Sequence, residues 1–215
     1  MMKKIISILI VALTLFSSGT WAAAQAIPQD KIPTLPAGHK VLLQQDFEEK
    51  YNPDQWMGVT TVQDEAENKI GSVPPNTIVQ YGNNKIWLDD CTIMLNLKVD
   101  YVLGKWTEIL DIGYRSETVK GKIMMVKNEG DQNGKLYFAT VGQEKDLWLS
   151  KEISGEHPLF TGQWVKLTVE MNENNVKIYL DEELMLETGE YTLADSWLAF
   201  KTFAGGSTIY LDNLL

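Results

Sequence analysis

Gly162-Gln163-Trp164-Val165-Lys166-Leu167-Thr168-Val169-Glu170-Met171, followed by Asn174-Asn175 and then Val176-Lys177-Ile178-Tyr179-Leu180-Asp181, is the stretch whose reading decides the fold. Successive side chains of a strand point to opposite faces, so Val165, Leu167, Val169 and Met171 form one apolar row. Val176, Ile178 and Leu180 repeat that period after the Asn-Asn turn and meet the first row from a partner strand. Lys166, Thr168, Glu170 and Lys177 face away. This is one hairpin of a half-buried antiparallel sheet, and it needs a second sheet to cover its apolar face.

The same pattern continues outward from the hairpin. Val41 to Phe47, Ile78 to Tyr81, Lys85 to Leu88, Thr92 to Val99, Glu108 to Tyr114, Lys122 to Val126, Lys135 to Val141 and Asp146 to Leu149 precede it as predicted strands. Leu184 to Leu186, Trp197 to Phe203 and Thr208 to Leu214 follow it. Gly, Asn, Asp and Pro residues punctuate them, Tyr51-Asn52-Pro53-Asp54 being one such turn, and no long amphipathic helix interrupts. An all-β, two-sheet antiparallel sandwich is therefore predicted.

At the amino end, Lys3 and Lys4 precede an apolar run from Ile5 to Phe16, and Ala22-Ala23-Ala24-Gln25-Ala26 follows. This order of basic, apolar and small residues is that of a secretory signal, and the run is too short to span a bilayer comfortably. Residues 1–24 are read as a signal peptide, cleaved after Ala24 or alternatively Ala26. Residues 25–40, with Pro28, Pro33 and Pro36, form an extended lead-in, and residues 41–215 a single domain. The expected location is secreted or periplasmic, without stable membrane insertion after cleavage.

The chain carries 19 basic and 29 acidic side chains, a net charge of −10, and loss of Lys3 and Lys4 with the leader makes it more acidic still. No basic patch offsets this charge, which disfavours nucleic acid and anionic membranes as partners, and no nucleic acid is expected. Neutral sugars and cations suit it. The single cysteine, Cys91, has no disulfide partner within the chain and sits in an apolar strand, where it reads as a packed thiol.

Four signatures carry a family likeness: Asp46-Phe47-Glu48, Gly162-Gln163-Trp164-Val165-Lys166-Leu167, Val176-Lys177-Ile178-Tyr179-Leu180-Asp181 and Ile209-Tyr210-Leu211-Asp212-Asn213. With them the body resembles the concanavalin A-like lectin/glucanase superfamily, over about residues 41–215. The resemblance implies a jelly roll, and a function among lectins, carbohydrate-binding modules, laminin G-like domains, and glycoside hydrolases or lyases. It also implies a structural calcium ion joining the first strand to the last, held by Glu48 and Asp212, with Asp46 as a weaker third ligand. One departure is visible, since Asp181 is followed by Glu182 and Glu183 where relatives often have glycine.

A hydrolase of this fold needs two carboxylates flanking one bond, one protonated and one ionised. The resembling endoglucanases place them on one strand, as Glu-x-Asp-x-x-Glu or Glu-x-Asp-x-Glu. Here the nearest acids are Glu108, Asp111 and Glu117, and the odd spacing of the first two puts them on opposite faces of a regular strand. Only a bulge between them would join them in one groove. His39, His157, Ser150 and Ser154 show neither metal-ligand, triad nor nucleophile-elbow spacing.

Outside the leader the tryptophans are Trp56, Trp87, Trp106, Trp148, Trp164 and Trp197. A sugar lays its C–H face on an aromatic ring while its hydroxyls need polar neighbours. Trp148, after Asp146-Leu147, and Trp87, before Asp89-Asp90, meet that description, against hairpin packing as the ordinary use of an indole. Tyr114, Arg115 and Tyr137 complete the expected ligand surface, although Tyr114 and Arg115 also suit an exposed strand end. Trp164 reads as a structural anchor. The sequence thus points to a non-catalytic glycan-binding protein. The alternatives are a polysaccharide hydrolase or lyase, and a module that binds an envelope protein.

Overall fold

The computed structural model describes residues 26–34, 37, 45–48, 56–77, 80–81, 87–88, 90–115, 118–140, 147–172, 175–189, 191, 196–197, 201–203 and 206–215. At 56–57, 80–81, 87–88, 113–115, 118–120, 196–197 and 201–203 it describes the backbone alone. The leader and the predicted turn at Tyr51-Asn52-Pro53-Asp54 lie outside these residues, as does most of the predicted strand from Val41. Gln45 of that strand pairs with Leu214 in an isolated antiparallel bridge.

The described strands are β1 (Trp56–Met57), β2 (Thr60–Gln63), β3 (Lys69–Val73), β4 (Gln80–Tyr81), β5 (Trp87–Leu88), β6 (Cys91–Asp100), β7 (Thr107–Arg115) and β8 (Thr118–Val126). They continue with β9 (Asn133–Ala139), β10 (Trp148–Ser154), β11 (Val165–Met171), β12 (Val176–Leu180), β13 (Glu183–Glu187), β14 (Ser196–Trp197), β15 (Lys201–Phe203) and β16 (Thr208–Asp212). A four-residue helix, α1 (Pro158–Thr161), links β10 to β11. Two seven-stranded antiparallel sheets result. The back sheet runs β13-β12-β11-β6-β16-β3-β2; the front sheet runs β10-β9-β8-β7-β14-β5, with β15 also on β7.

The hairpin behaves as its alternation dictates: β11 buries Val165, Leu167, Val169 and Met171, and β12 buries Val176, Ile178 and Leu180. Leu167 stands opposite Leu180, and Val169 opposite Ile178. These side chains join Leu95, Leu97 and Val99 of β6 and meet Leu110, Ile112, Ile123, Met125, Leu136 and Phe138 of the front sheet in one core. This is the two-sheet jelly-roll sandwich that the sequence predicts.

Asp181 and Glu182, at the end of the hairpin's return strand, both take positive φ, 49° and 72°, so the turn is tight despite lacking glycine. Hydrogen bonds hold it there. Asp181 Oδ1 accepts from the Lys166 amide at 2.8 Å, and Lys166 Nζ reaches Glu182 at 2.8 Å.

The burial of β6 runs through both of its faces, and its outward polar residues Asn96 and Lys98 are buried. Residues 26–34 explain the part at Asn96. They pass over the outer face of the back sheet through a short 3-10 turn, Gln29–Lys31, where Asn96 Nδ2 donates to the Lys31 carbonyl at 3.0 Å. Lys31 pairs with Asp181, and Ile27 packs with Ile70, Val62, Tyr210 and the buried Trp164 in a satellite cluster. Trp164 is thus the anchor expected of it.

Gly134, on β9, lies beneath the Phe160 ring of α1, leaving no room for a β-carbon, and Phe160 in turn meets Tyr101 edge-on at 5.3 Å. An aromatic ring wedged between two elements cannot swing aside as a long flexible chain would. Gly134→Ala is expected to destabilise the fold by about 1–3 kcal/mol through overpacking. The check is urea unfolding, and an unchanged midpoint would show that α1 moves freely.

Candidate functional site on the front sheet

The cross-strand register sets out the outer face of the front sheet as a grid. One row is Trp148, Ala139, Lys122 and Asp111; the next is Ser150, Tyr137, Met124 and Glu108. Core residues Leu136, Phe138, Ile123 and Met125 alternate with these positions, so the grid faces away from the core.

Glu108 and Asp111 both belong to this face, which corrects the expectation from their odd spacing. The register slips between Glu108 and Leu110, making Ile109 the extra residue of a bulge. Ile109 and Leu110 are both buried in the core, and turning two consecutive apolar residues inward restores the phase that brings Asp111 beside Glu108. Lys122 on β8 joins the acids: its Nζ donates to Glu108 Oε1 at 3.0 Å and lies 3.5 Å from Asp111 Oδ2. Asp111 is fully buried, while the Glu108 and Lys122 side chains are only 22% and 18% exposed. Burial alone would lower the Lys122 ammonium, but the Asp111 charge and the bond to Glu108 outweigh it and hold it above the usual lysine range.

Beside this triad stand three aromatic rings. Trp106 and Tyr137 have centroids 4.9 Å apart, Tyr137 and Trp148 5.6 Å, and Trp106 and Trp148 6.2 Å. Trp148 is 59% exposed and Trp106 45%, so two indoles present broad faces to solvent. Large apolar groups left in water beside polar neighbours are what a sugar-binding surface requires. Beyond Trp106 and Tyr137 a cavity of about 440 Å³ opens, walled by Val126, by Asn128, Asp131 and Gln132 of the β8–β9 connection, and by Asn133, Lys135 and Glu152.

Of the expected ligand residues, the structure brings Tyr137 and Trp148 together. The strands of Trp87 and Tyr114 form a different row, both pairing with Trp197, away from the β10 edge that carries Trp148. The side chains of Trp87, Tyr114 and Arg115, and the whole of Glu117, lie outside the described residues. Trp106 and Lys122 were not among the expected residues. Lys122 was legible as outward-facing, because Ile123 and Met125 claim the inner face, but its partners depend on strand register.

The acidic end of the back sheet carries the proposed calcium ligands. Asp212 is 7% exposed, its Oδ2 accepts from Asn213 Nδ2 at 3.1 Å, and its buried Oδ1 has no hydrogen-bond partner. Burial, followed by the charges of Asp46, Glu48 and Asp64, pushes its carboxyl up to about 7, against a smaller lowering by the Asn213 backbone. The neighbouring acids are engaged elsewhere: Glu48 Oε1 accepts from the Lys69 amide at 2.7 Å, and Asp46 Oδ1 from the Glu48 amide at 3.2 Å. Among the described residues no three His, Cys, Asp or Glu side chains converge as a metal cluster.

No protein-family model matches the chain, and no curated protein is significantly similar to it in sequence. Its fold is shared by solved structures. A Bacteroides ovatus mixed linkage glucan GH16 protein, solved with its product, matches with a TM-score of 0.60 at 13% identity, over 81% of this chain and 100% of that one. A legume lectin-like domain from Entamoeba histolytica matches at 0.55 and 12%, covering 83% of this chain and 98% of its own. An alginate lyase from Klebsiella pneumoniae gives 0.55 and 12%, over 72% and 82%. The architecture is the concanavalin A-like jelly roll. Among the described residues no helix is long and apolar enough to cross a membrane.

Proposed function

We propose that this is a carbohydrate-active protein that engages a polysaccharide on the outer face of its front sheet. The observation that carries this reading is the cluster of the exposed Trp106 and Trp148 with the half-buried Tyr137 on a face bordered by polar side chains. Stacking on rings supplies sequence-tolerant affinity for a sugar chain, and the flanking carboxylates, amides and lysines supply hydroxyl partners. The glucan-active, lectin-like and alginate-cleaving proteins that share the fold support a carbohydrate partner.

Binding and cleavage are separated by the acid pair. The hydrolase and lyase among the similar structures weigh toward catalysis, and the bulge at Ile109 gives it a place by bringing Glu108 beside Asp111. The geometry of Lys122 weighs toward binding. A cation between two carboxylates favours their charged forms, whereas a glycosidase needs one of its acids protonated at the start of its cycle. The third acid of the resembling strand pattern also has no counterpart at Gly113 or Tyr114. Glycan recognition is therefore the main reading and hydrolysis the second.

The test is a panel of cell-wall and storage polysaccharides, assayed for retention of the protein and for release of reducing ends. Binding is expected, and Trp148→Ala is expected to weaken it about tenfold or more, the loss of one good stacking contact. Release of reducing ends that Glu108→Gln abolishes would establish the catalytic reading instead. Neither binding nor release would remove the carbohydrate reading and turn attention to a protein partner. A structural calcium ion at Asp212 is a further part of the proposal, supported by the unpartnered buried oxygen and the surrounding negative charge.

A further inference from the structure

The cavity beyond Trp106 and Tyr137 lies apart from the acid pair. Neither Glu108, Asp111 nor Lys122 lines it; its walls are one register row further along the sheet, at Lys135 and Glu152, and in the turn that follows β8. A row on one face of a strand is two residues, about 7 Å, from the next. Tyr137 marks the border of the two, since it shares the row of Glu108 and also lines the cavity.

We infer that this cavity is a second sugar-binding pocket, specific for neutral glycans and separate from the acid pair; the inference rests on the carbohydrate reading above and gives it a substrate class. Its volume of about 440 Å³ falls within the ~300–1,000 Å³ of small-ligand pockets. One wall is apolar and aromatic, fitting the C–H face of a pyranose, and the other is polar. Asn133 offers an amide, and Asp131 and Glu152 offer acceptors for paired hydroxyls. The lining has two carboxylates and one ammonium, and that ammonium, Lys135, stands directly across the strand pair from Glu152. The lining thus carries one net negative charge on a strongly acidic chain, so a uronate or sulfated chain meets net repulsion there, while a neutral chain meets none.

The experiment is calorimetric titration of the full chain with neutral gluco-oligosaccharides of three and four units, and with oligouronates of the same lengths. Asn133→Trp and Gln132→Trp, both at exposed positions, fill the cavity from two sides. Each is expected to weaken neutral-oligosaccharide binding about tenfold or more with an unchanged unfolding midpoint, and oligouronates are expected to bind at least about tenfold more weakly at low salt. Wild-type affinity retained in both filled variants would overturn the pocket while leaving the carbohydrate reading intact, with Trp148→Ala still weakening binding. Oligouronates bound as tightly as neutral chains would overturn the specificity. A wild-type chain that binds neither oligosaccharide nor polysaccharide would overturn both readings together.

Discussion

Lys122→Met is expected to cost about 3–5 kcal/mol of folding stability, the usual loss when one partner of a buried ion pair is removed. Asp111 is fully buried, and Lys122 Nζ lies 3.5 Å from its Oδ2. Removing the ammonium takes a positive charge away from a buried carboxylate and from a second acid, Glu108, which the same lysine had held. Methionine keeps most of the aliphatic length, so lost packing contributes little. Urea unfolding measures the effect. Adding Asp111→Asn to the variant is expected to restore most of the loss, because the charge that made the site costly has gone. If Lys122→Met unfolds at the wild-type midpoint, the lysine does not stabilise the acids, and the geometric argument against catalysis at this pair falls with it.

Asp212→Asn is expected to stabilise the cation-free protein at neutral pH by up to about 4 kcal/mol. The carboxyl, at about 7 in the fold, is raised from an ordinary 3.8, so between these values the folded state holds a proton that the unfolded state has released. Stability therefore falls as pH rises through this window, by about 1.4 kcal/mol per unit where the difference is complete. The asparagine keeps the shape and removes the charge, so its stability should follow a flatter pH profile and coincide with that of wild type near pH 4. Thermal unfolding from pH 4 to 8 in chelator checks this, and parallel profiles for the two proteins would reject it. Calcium supplies an additional arm. A cation at Asp212 should raise the wild-type melting temperature at pH 7.5 and leave the asparagine variant unmoved.

The architecture was legible because the hairpin alternates without a break and its apolar rows have one possible destination. Three strands, β1, β2 and β3, lie outside the predicted set, the last two for physical reasons. Thr60–Gln63 is a largely exposed edge strand, and Lys69–Val73 carries Gly71 and Ser72 where a strand reading looks for bulky residues. Gly71 is small because the ring of Phe47 sits on it, 2.7 Å from where a β-carbon would be, a contact between segments distant in sequence. The candidate site was half legible. Exposure of Trp148 follows from its own strand, but its company does not: Trp106 and Lys122 reach the same surface through registers set across β7, β8 and β9. The bulge did leave a trace, since Ile109-Leu110 is an apolar doublet where strict alternation permits only one inward residue.

The packing of residues 26–34 onto the back sheet also sets which way the molecule faces when it is held. Ile27 is fixed among Ile70, Val62 and Tyr210, and the exposed indoles lie on the opposite side of the sandwich. Whatever is joined to the chain ahead of Ile27, whether a linker, a fusion partner or a solid support, is mounted on the rear of the body. Trp106 and Trp148 then point outward, away from the point of attachment, toward any polymer in the surrounding medium.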